Sequence, residues 1–152
     1  MDPFRMDDHL RLPLSQDAAL VAALAGTAMA FAHSSEDQAE RWLRALRLHG
    51  HVGSALQALG VGEAPLMTRA EPAPPAPAAP SGDVAQRVVA RAGELAEERD
   101  VPCVGTIDLL FALFEVYGGL MDRALYLRGA SREELVEHLA TMGEPAEARL
   151  SA

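Results

Sequence analysis

Lysine and asparagine are missing from this 152-residue chain, and all 13 of its basic residues are arginine. A phosphate-binding P-loop needs its lysine, so the chain contains no intact P-loop, and a Schiff base on lysine is equally excluded. Acidic residues outnumber the arginines and give a formal net charge of −9. Because no basic cluster is visible, the sequence argues against binding to the phosphate backbone of nucleic acids.

Cysteine and aromatic residues are also scarce. Cys103 is the only cysteine, so no intramolecular disulfide forms, which fits the reducing cytoplasm where we expect the protein. Aromatic residues make up 5% of a chain that is 49% hydrophobic, so alanine and leucine are predicted to build a helical core. No apolar run reaches the roughly 20 residues that a membrane helix needs. The longest, at 18–32, is rich in alanine and is predicted to be a buried helix.

A proline-rich segment divides the chain. Residues 62–82, GEAPLMTRAEPAPPAPAAPSG, hold most of the ten prolines, which fix φ and lack a backbone N–H, so we predict an extended or disordered linker. It separates a first helical unit at 14–61 from a second at 83–142. Residues 1–13 are predicted to be a tail that begins with a cloning remnant, and residues 143–152 a C-terminal tail.

Capping residues predict where the helices of the first unit begin and end. Ser15 is placed to cap a helix that runs to about Ala32. Ser35 and Gln38 have the spacing of a capping box for the next helix. A third short helix, beginning near residue 52, is predicted to end at Gly60, a typical residue after a helix C-terminus.

The second unit has the same kinds of signal. Asp83, Thr106 and Ser131 are predicted N-caps of three helices. Gly118 and Gly119 interrupt the helical pattern, and Gly129 is predicted to close a short helix. Since no segment alternates polar and apolar residues long enough for a strand, we predict an all-α fold.

The two units follow the same order of elements. The segments LRALRLHGHVGSALQALGV (43–61) and LFALFEVYGGLMDRALYLRGA (110–130) both contain a helix with a Leu-x-x-Leu core, a glycine break and a short helix. Similar helical units that each bury one face usually pack on each other. The sequence therefore predicts a pseudo-twofold tandem repeat.

The segment VGTIDLLFALFEVYGGLMDRALYLRGA (104–130) resembles the Clp repeat, the tandem motif of the N-terminal domain of Clp-type AAA+ unfoldases such as ClpC and ClpA. The resemblance implies an all-α domain with four helices in each repeat. Because the linker replaces the fourth helix of the first repeat, we expect about seven helices. The resemblance further implies a non-enzymatic module that recruits protein substrates or adaptors to an ATP-dependent unfoldase and protease.

The resemblance also suggests a binding site. In some ClpC-type members, a glutamate in each repeat takes part in recognising phosphorylated arginine; Glu40 is matched to one of these positions and Ile107 to the other. Losing one acid weakens the expectation of paired recognition. The segment CVGTIDLL is predicted first of all to be the start of a helix; in the alternative of a contact site, Ile107 and Asp108 flank the cap and face outward. Trp42 is expected in the core or half-buried, with an interface role as the alternative. The predicted peptide- or adaptor-binding residues are therefore Glu40, Trp42, Ile107 and Asp108.

Other groups of residues give weaker evidence for a functional site. His49 and His51 lack a third zinc ligand in the sequence and are expected to face solvent. Cys103 has no neighbouring base to activate its thiol and is expected to be a small buried residue before a helix. We predict no cofactor, no metal and no enzymatic activity, and a monomer in isolation. The alternative functions are a stand-alone homologue that sequesters peptides or cyclic-peptide antibiotics and, against the acidic charge, a helical DNA-binding regulator.

Overall fold

Seven α-helices and no β-strand occur in the part of the chain that the computed structural model describes, residues 12–62 and 81–142. The all-α prediction is confirmed. Most of the predicted linker and of both predicted tails lies outside the described residues. The helices are α1 (Gln16–Met29), α2 (Ser35–Leu48), α3 (Gly50–Ala58), α4 (Ser81–Glu98), α5 (Thr106–Tyr117), α6 (Gly119–Tyr126) and α7 (Arg132–Met142).

The N-terminal caps of α1 and α2 follow from serine side chains. Ser15 caps α1 as predicted, and its Oγ accepts from the Ala18 N–H at 3.0 Å. The cap of α2 is Ser34 and not Ser35, because Ser34 is extended (φ −157°, ψ 167°) whereas Ser35 is already helical. Ser34 Oγ accepts from the Asp37 N–H at 3.0 Å. The prediction of a capping box was therefore misplaced by one residue.

Two of the three N-caps predicted in the second unit are wrong. Asp83 does not cap α4, since that helix already begins at Ser81. Thr106 is the first residue of α5, and the extended residue before it, Gly105, occupies the N-cap position. The hydroxyl of Thr106 instead accepts from the Val52 N–H at 3.3 Å and so links α5 to α3. Ser131 caps α7 as predicted, accepting from the Glu134 N–H at 3.1 Å.

The short helices α3 and α6 end in the same way. Gly60 and Gly129 have φ of +84° and +85°, which favours glycine, so both predicted C-terminal glycines are confirmed. In each case the glycine N–H donates to the carbonyl three residues back, and the next N–H donates to the carbonyl five residues back. These bonds are Gly60 to Gln57 and Val61 to Leu56 in the first half, and Gly129 to Tyr126 and Ala130 to Leu125 in the second.

Helix α2 lies at the centre of the described structure. It contacts α1, α3, α5 and α6, and its buried residues include Trp42, Leu43 and Leu46. The first helices of the two halves, α1 and α4, pack on each other. The second helix of each half packs on the third helix of the other, α2 on α6 and α5 on α3, and α7 covers α3. The core is therefore shared between the halves.

A pair of backbone hydrogen bonds also connects the halves. The Ser15 N–H donates to the Val104 carbonyl, and the Val104 N–H donates to the Pro13 carbonyl, both at 2.8 Å. These bonds form an isolated parallel bridge between the segments that lead into α1 and α5. The bridge fixes the start of α1 against the start of α5.

Helix α1 is apolar on two sides, and only one side is buried. The prediction of a buried helix at 18–32 is wrong for the other side, where Leu20 and Leu24 are each 43% exposed and Phe31 is 65% exposed. No other element of the described structure covers this side. The buried residues of α1 are Ala18, Val21, Ala25 and Met29. Among the described residues, no helix has both the length and the apolar character needed to cross a bilayer.

Two helical glycines, one tightly packed and one facing open space, allow a test of the packing of α2 against α3. A Cβ atom added at Gly53 in α3 would lie 2.7 Å from the Leu46 carbonyl oxygen of α2, whereas one added at Gly93 in α4 meets nothing within 4 Å. We expect G53A to lower the free energy of unfolding by about 1–3 kcal/mol, because α3 must move away from α2. The matched G93A variant should raise it by about 0.5–1 kcal/mol by restricting the unfolded chain. Urea unfolding followed by circular dichroism measures both, and a destabilised G93A or a neutral G53A would contradict the packing.

Candidate binding surface

The four residues predicted to bind a peptide or adaptor belong to separate contact networks. Trp42 and Asp108 are fully buried, and Glu40 and Ile107 are partly exposed. Trp42 lies in the core of α2, Asp108 in the first turn of α5, and Glu40 beside Arg128, which follows α6. The structure therefore does not gather them into one exposed patch, and their binding role stays a prediction.

Asp108 holds the start of α5 together. Its carboxylate accepts two hydrogen bonds from Arg99, both at 2.9 Å, and a third from the Gly105 N–H at 3.0 Å. The expectation that Asp108 faces outward is wrong, because these bonds require the carboxylate to point back toward the end of α4. Asp37 in α2 has a related position: it accepts from the His33 N–H and from Arg41, both at 3.1 Å.

A buried polar contact between the halves lies beside Trp42. The Tyr117 hydroxyl of α5 donates to Gln38 Oε1 of α2 at 3.1 Å. The indole of Trp42 lies beside the same hydroxyl. Burial raises the pKa of Tyr117 to about 12, and the Trp42 contact and the nearby charge of Arg87 oppose this rise only in part. This polar contact therefore fixes the register of α2 against α5.

Glu40 is the nearest acid to a buried arginine. Arg128 is only 2% exposed, its Nη1 donates to the Ala124 carbonyl at 3.0 Å, and its Nη2 lies 3.7 Å from Glu40 Oε1. Burial lowers the pKa of Arg128, and the charge of Glu40 raises it. Glu40 therefore compensates a charge inside the protein, and a ligand that used this carboxylate would compete with Arg128.

Glu36, and not Glu40, lies as far from the N-cap of α2 as Ile107 lies from the N-cap of α5. Counted from the N-cap, Ile107 is the second residue of α5, Glu36 is the second residue of α2, and Glu40 is the sixth. Asp37 and Asp108, each one residue further along, both accept from a backbone N–H at the start of their helix: Asp37 from His33, four residues back, and Asp108 from Gly105, three residues back. The matching of Glu40 and Ile107 to the two family positions stays a prediction.

A charged surface runs along the contact between α2 and α6. Glu36 Oε2 lies 3.1 Å from Arg123 Nε, with side chains 34% and 47% exposed, and Glu40 lies one turn further along α2. Arg44, another turn along, is exposed and contributes a like charge near Arg128. We call Glu36, Glu40, Arg44 and Arg123 the α2–α6 seam. Its exposed pair opens at little free-energy cost, so its charges are available to a polar ligand.

The sequence analysis missed Glu36 and Arg123 as members of this surface. The spacing from the N-cap would have found Glu36 if Ser34 had been chosen as the cap. Arg123 becomes its partner only through the packing of α2 on α6, which the sequence does not specify. Ile107 packs in part against the core at the start of α5.

One residue of the histidine pair is placed differently from expectation, whereas the cysteine is buried as predicted. His51 is buried, because α3 begins at Gly50 and so includes this residue in its first turn. Its predicted exposure to solvent is therefore wrong, while His49 is partly exposed. Cys103 is buried before α5. Within 12–62 and 81–142, no three histidine, cysteine or acidic residues lie close enough together to hold a metal ion.

Comparison with known proteins adds no family assignment. No protein-family model matches the chain, and no curated protein is similar to it in sequence.

The Asp108 network generates a stability prediction. We expect D108A to lower the free energy of unfolding by roughly 2–3 kcal/mol, since a buried charged hydrogen-bond partner of both Arg99 and Gly105 is lost. The control is E115A, which breaks the shorter but exposed contact between Glu115 and Arg91 at 2.7 Å. It should leave the urea midpoint nearly unchanged, because water screens that pair. Equal midpoints for D108A and the wild type would show that the buried network does not hold α5.

Proposed function

We propose that this protein is a protein-interaction module of the Clp N-terminal type, which recruits substrates or adaptors to an ATP-dependent unfoldase. The observation that carries the proposal is the correspondence between the two halves. Helices α3 and α6 end with the same pair of backbone bonds at Gly60 and Gly129. The exchange of contacts, α2 on α6 and α5 on α3, is what a tandem repeat related by a twofold axis produces.

The α2–α6 seam is the binding surface in this proposal. Its charges of both signs, partly exposed, provide a polar rim that pairs with charged groups of an extended polypeptide. Glu40 is held by Arg128, so Glu36 and Arg123 are the charges that a ligand engages first. Binding is reversible docking, and no bond is made or broken.

A second candidate ligand is a peptide with apolar side chains, including a cyclic-peptide antibiotic. Ile107 favours this apolar ligand. It is the second residue of α5 and is aliphatic, whereas the second residue of α2, Glu36, is acidic. An aliphatic side chain has no negative charge to pair with the guanidinium group of a phosphorylated arginine in a ligand. The start of α5 therefore suits an apolar ligand group better than a phosphorylated arginine.

The experiment is a binding titration of the purified chain with a fluorescein-labelled unfolded polypeptide and, separately, with a hexameric Clp-type unfoldase. We expect the double variant E36A/R123A to weaken binding about tenfold, because it removes both charges of the exposed pair and leaves neither unpaired. The control is R91A/E115A, which removes an exposed pair between α4 and α5 together with the contacts of Arg91 to Glu94 and Glu98.

This control should bind as the wild type does. Failure of the wild-type chain to bind either the polypeptide or the unfoldase would contradict the proposed function. Equal weakening in the two double variants would contradict the location at the seam. A thermal shift with cyclic peptides that is abolished by I107E, but not by E36A/R123A, would favour the second candidate ligand.

A further inference from the structure

Arg128 and Glu40 form an ion pair in which the acid is the partner that reaches solvent. The side chain of Arg128 is 1% exposed, and that of Glu40 is 22% exposed. Arg128 lies just after α6, and its Nη1 donates to the Ala124 carbonyl at 3.0 Å, which holds the guanidinium group in place. The cation is therefore fixed, whereas the carboxylate is the accessible partner of the pair.

The contact between these two groups is long for an ion pair. Nη2 of Arg128 lies 3.7 Å from Oε1 of Glu40, whereas Arg99 donates to both oxygens of Asp108 at 2.9 Å. Two parallel N–H···O bonds are a strong and specific arrangement of a guanidinium and a carboxylate group. Because Glu40 does not reach this arrangement, a carboxylate that is free to align with Arg128 competes with it.

A second arginine adds positive charge at the same place. Arg44 is exposed and lies one turn after Glu40 on α2. Burial lowers the pKa of Arg128, the charge of Glu40 raises it, and the charge of Arg44 lowers it again, so the two guanidinium groups are close enough to repel each other. When Glu40 turns toward solvent, two positive charges remain and attract another anion.

We propose that Arg128 and Arg44 form a carboxylate-binding site that Glu40 occupies until a ligand displaces it. The ligand group is a carboxylate because the side chain that occupies the site is one, with the same charge and planar shape. In the absence of ligand, the pair of Glu40 and Arg128 stabilises the protein. Binding exchanges one ion pair for another, and no covalent bond changes. The inference rests on the proposed function only in taking a polypeptide as the source of the carboxylate.

Glu40 acts in this site as an internal competitor. A ligand binds only the fraction of molecules in which Glu40 has left the site, so an occupant that is in place about 90% of the time raises the apparent dissociation constant about tenfold. Removing the charge of Glu40 should therefore strengthen binding. This effect is opposite to that expected of an acid that contacts a ligand directly, so its sign identifies the role of Glu40.

Titration with three short fluorescein-labelled peptides tests the site. The first has a free C-terminus and no acidic residue, the second is its C-terminal amide, and the third is an amide that contains one glutamate. E40Q, which keeps the length of the side chain and loses its charge, should bind the first or the third about tenfold more tightly than the wild type does. Whichever peptide gains affinity shows whether the ligand group is a C-terminal or a side-chain carboxylate. The second peptide should bind both chains equally.

The matched control is E36Q. Glu36 is an acid one turn before Glu40 on α2, and its partner Arg123 is 47% exposed, so its removal uncovers no buried cation. E36Q should gain no affinity for any of the three peptides, and circular dichroism confirms that both variants are folded. A folded E40Q that binds the carboxylate peptides no more tightly than the wild type, or an equal gain in E36Q, would overturn the inference.

A measurement on the wild type tests the site without any variant. Replacing chloride by acetate at constant ionic strength should shift the Nε–H NMR resonance of Arg128, and neutral acetamide should not. The resonance of Arg91, an exposed side chain paired with Glu115 at 2.7 Å, serves as the control and should move less. An Arg128 resonance that acetate does not move would overturn the site. This result does not depend on recruitment of polypeptides, so the two proposals fail separately.

Discussion

The burial of Trp42 on α2 is the contact on which the rest of the structure depends. Trp42 is the largest side chain that is fully buried, and it lies on the helix that touches α1, α3, α5 and α6. The hydrogen bond from Tyr117 to Gln38 lies beside it and fixes α2 against α5. An aromatic residue of this size buries more apolar surface than the alanines that make up much of the core. In a chain with so few aromatics, this helix therefore joins two halves that are each too small to bury their own faces.

The charged residues fall into a buried group and an exposed group, which differ in what they can do. Asp108 and Arg128 are charged groups removed from water, and each has partners within the protein, so they act in stability. Glu36 and Arg123 are paired but accessible, and a ligand exchanges such contacts at little cost. The exposed side of α1, which carries Leu20 and Leu24, has no charged residue.

The sequence predicted the helical class and several helix ends because those depend on local chemistry. Ser15, Gly60 and Gly129 behave as expected, since a hydroxyl that caps an N–H and a glycine at positive φ act within a few residues. The capping box near Ser34 was misplaced because adjacent serines offer the same chemistry, and only the backbone conformation distinguishes them. The tandem relation and the Clp-type function stay predictions.

The contents of the candidate site were harder to predict, because burial depends on which helices meet. Asp108 was expected outside, yet Arg99 at the end of α4 draws it inward. Leu20 and Leu24 were expected inside, but periodicity does not tell which of two apolar sides of a helix is covered. Arg123 became part of the seam only through the packing of α6 on α2.

The most direct test of the central claim is to follow unfolding in both halves at once. Trp42 is the only tryptophan and reports on the first half, and Cys103 is the only cysteine, buried in the second. Tryptophan fluorescence and the reactivity of the thiol toward a disulfide reagent should change at the same urea concentration, because one shared core unfolds as a unit. A thiol that becomes reactive while Trp42 is still buried would show that the halves unfold independently, and would contradict the account.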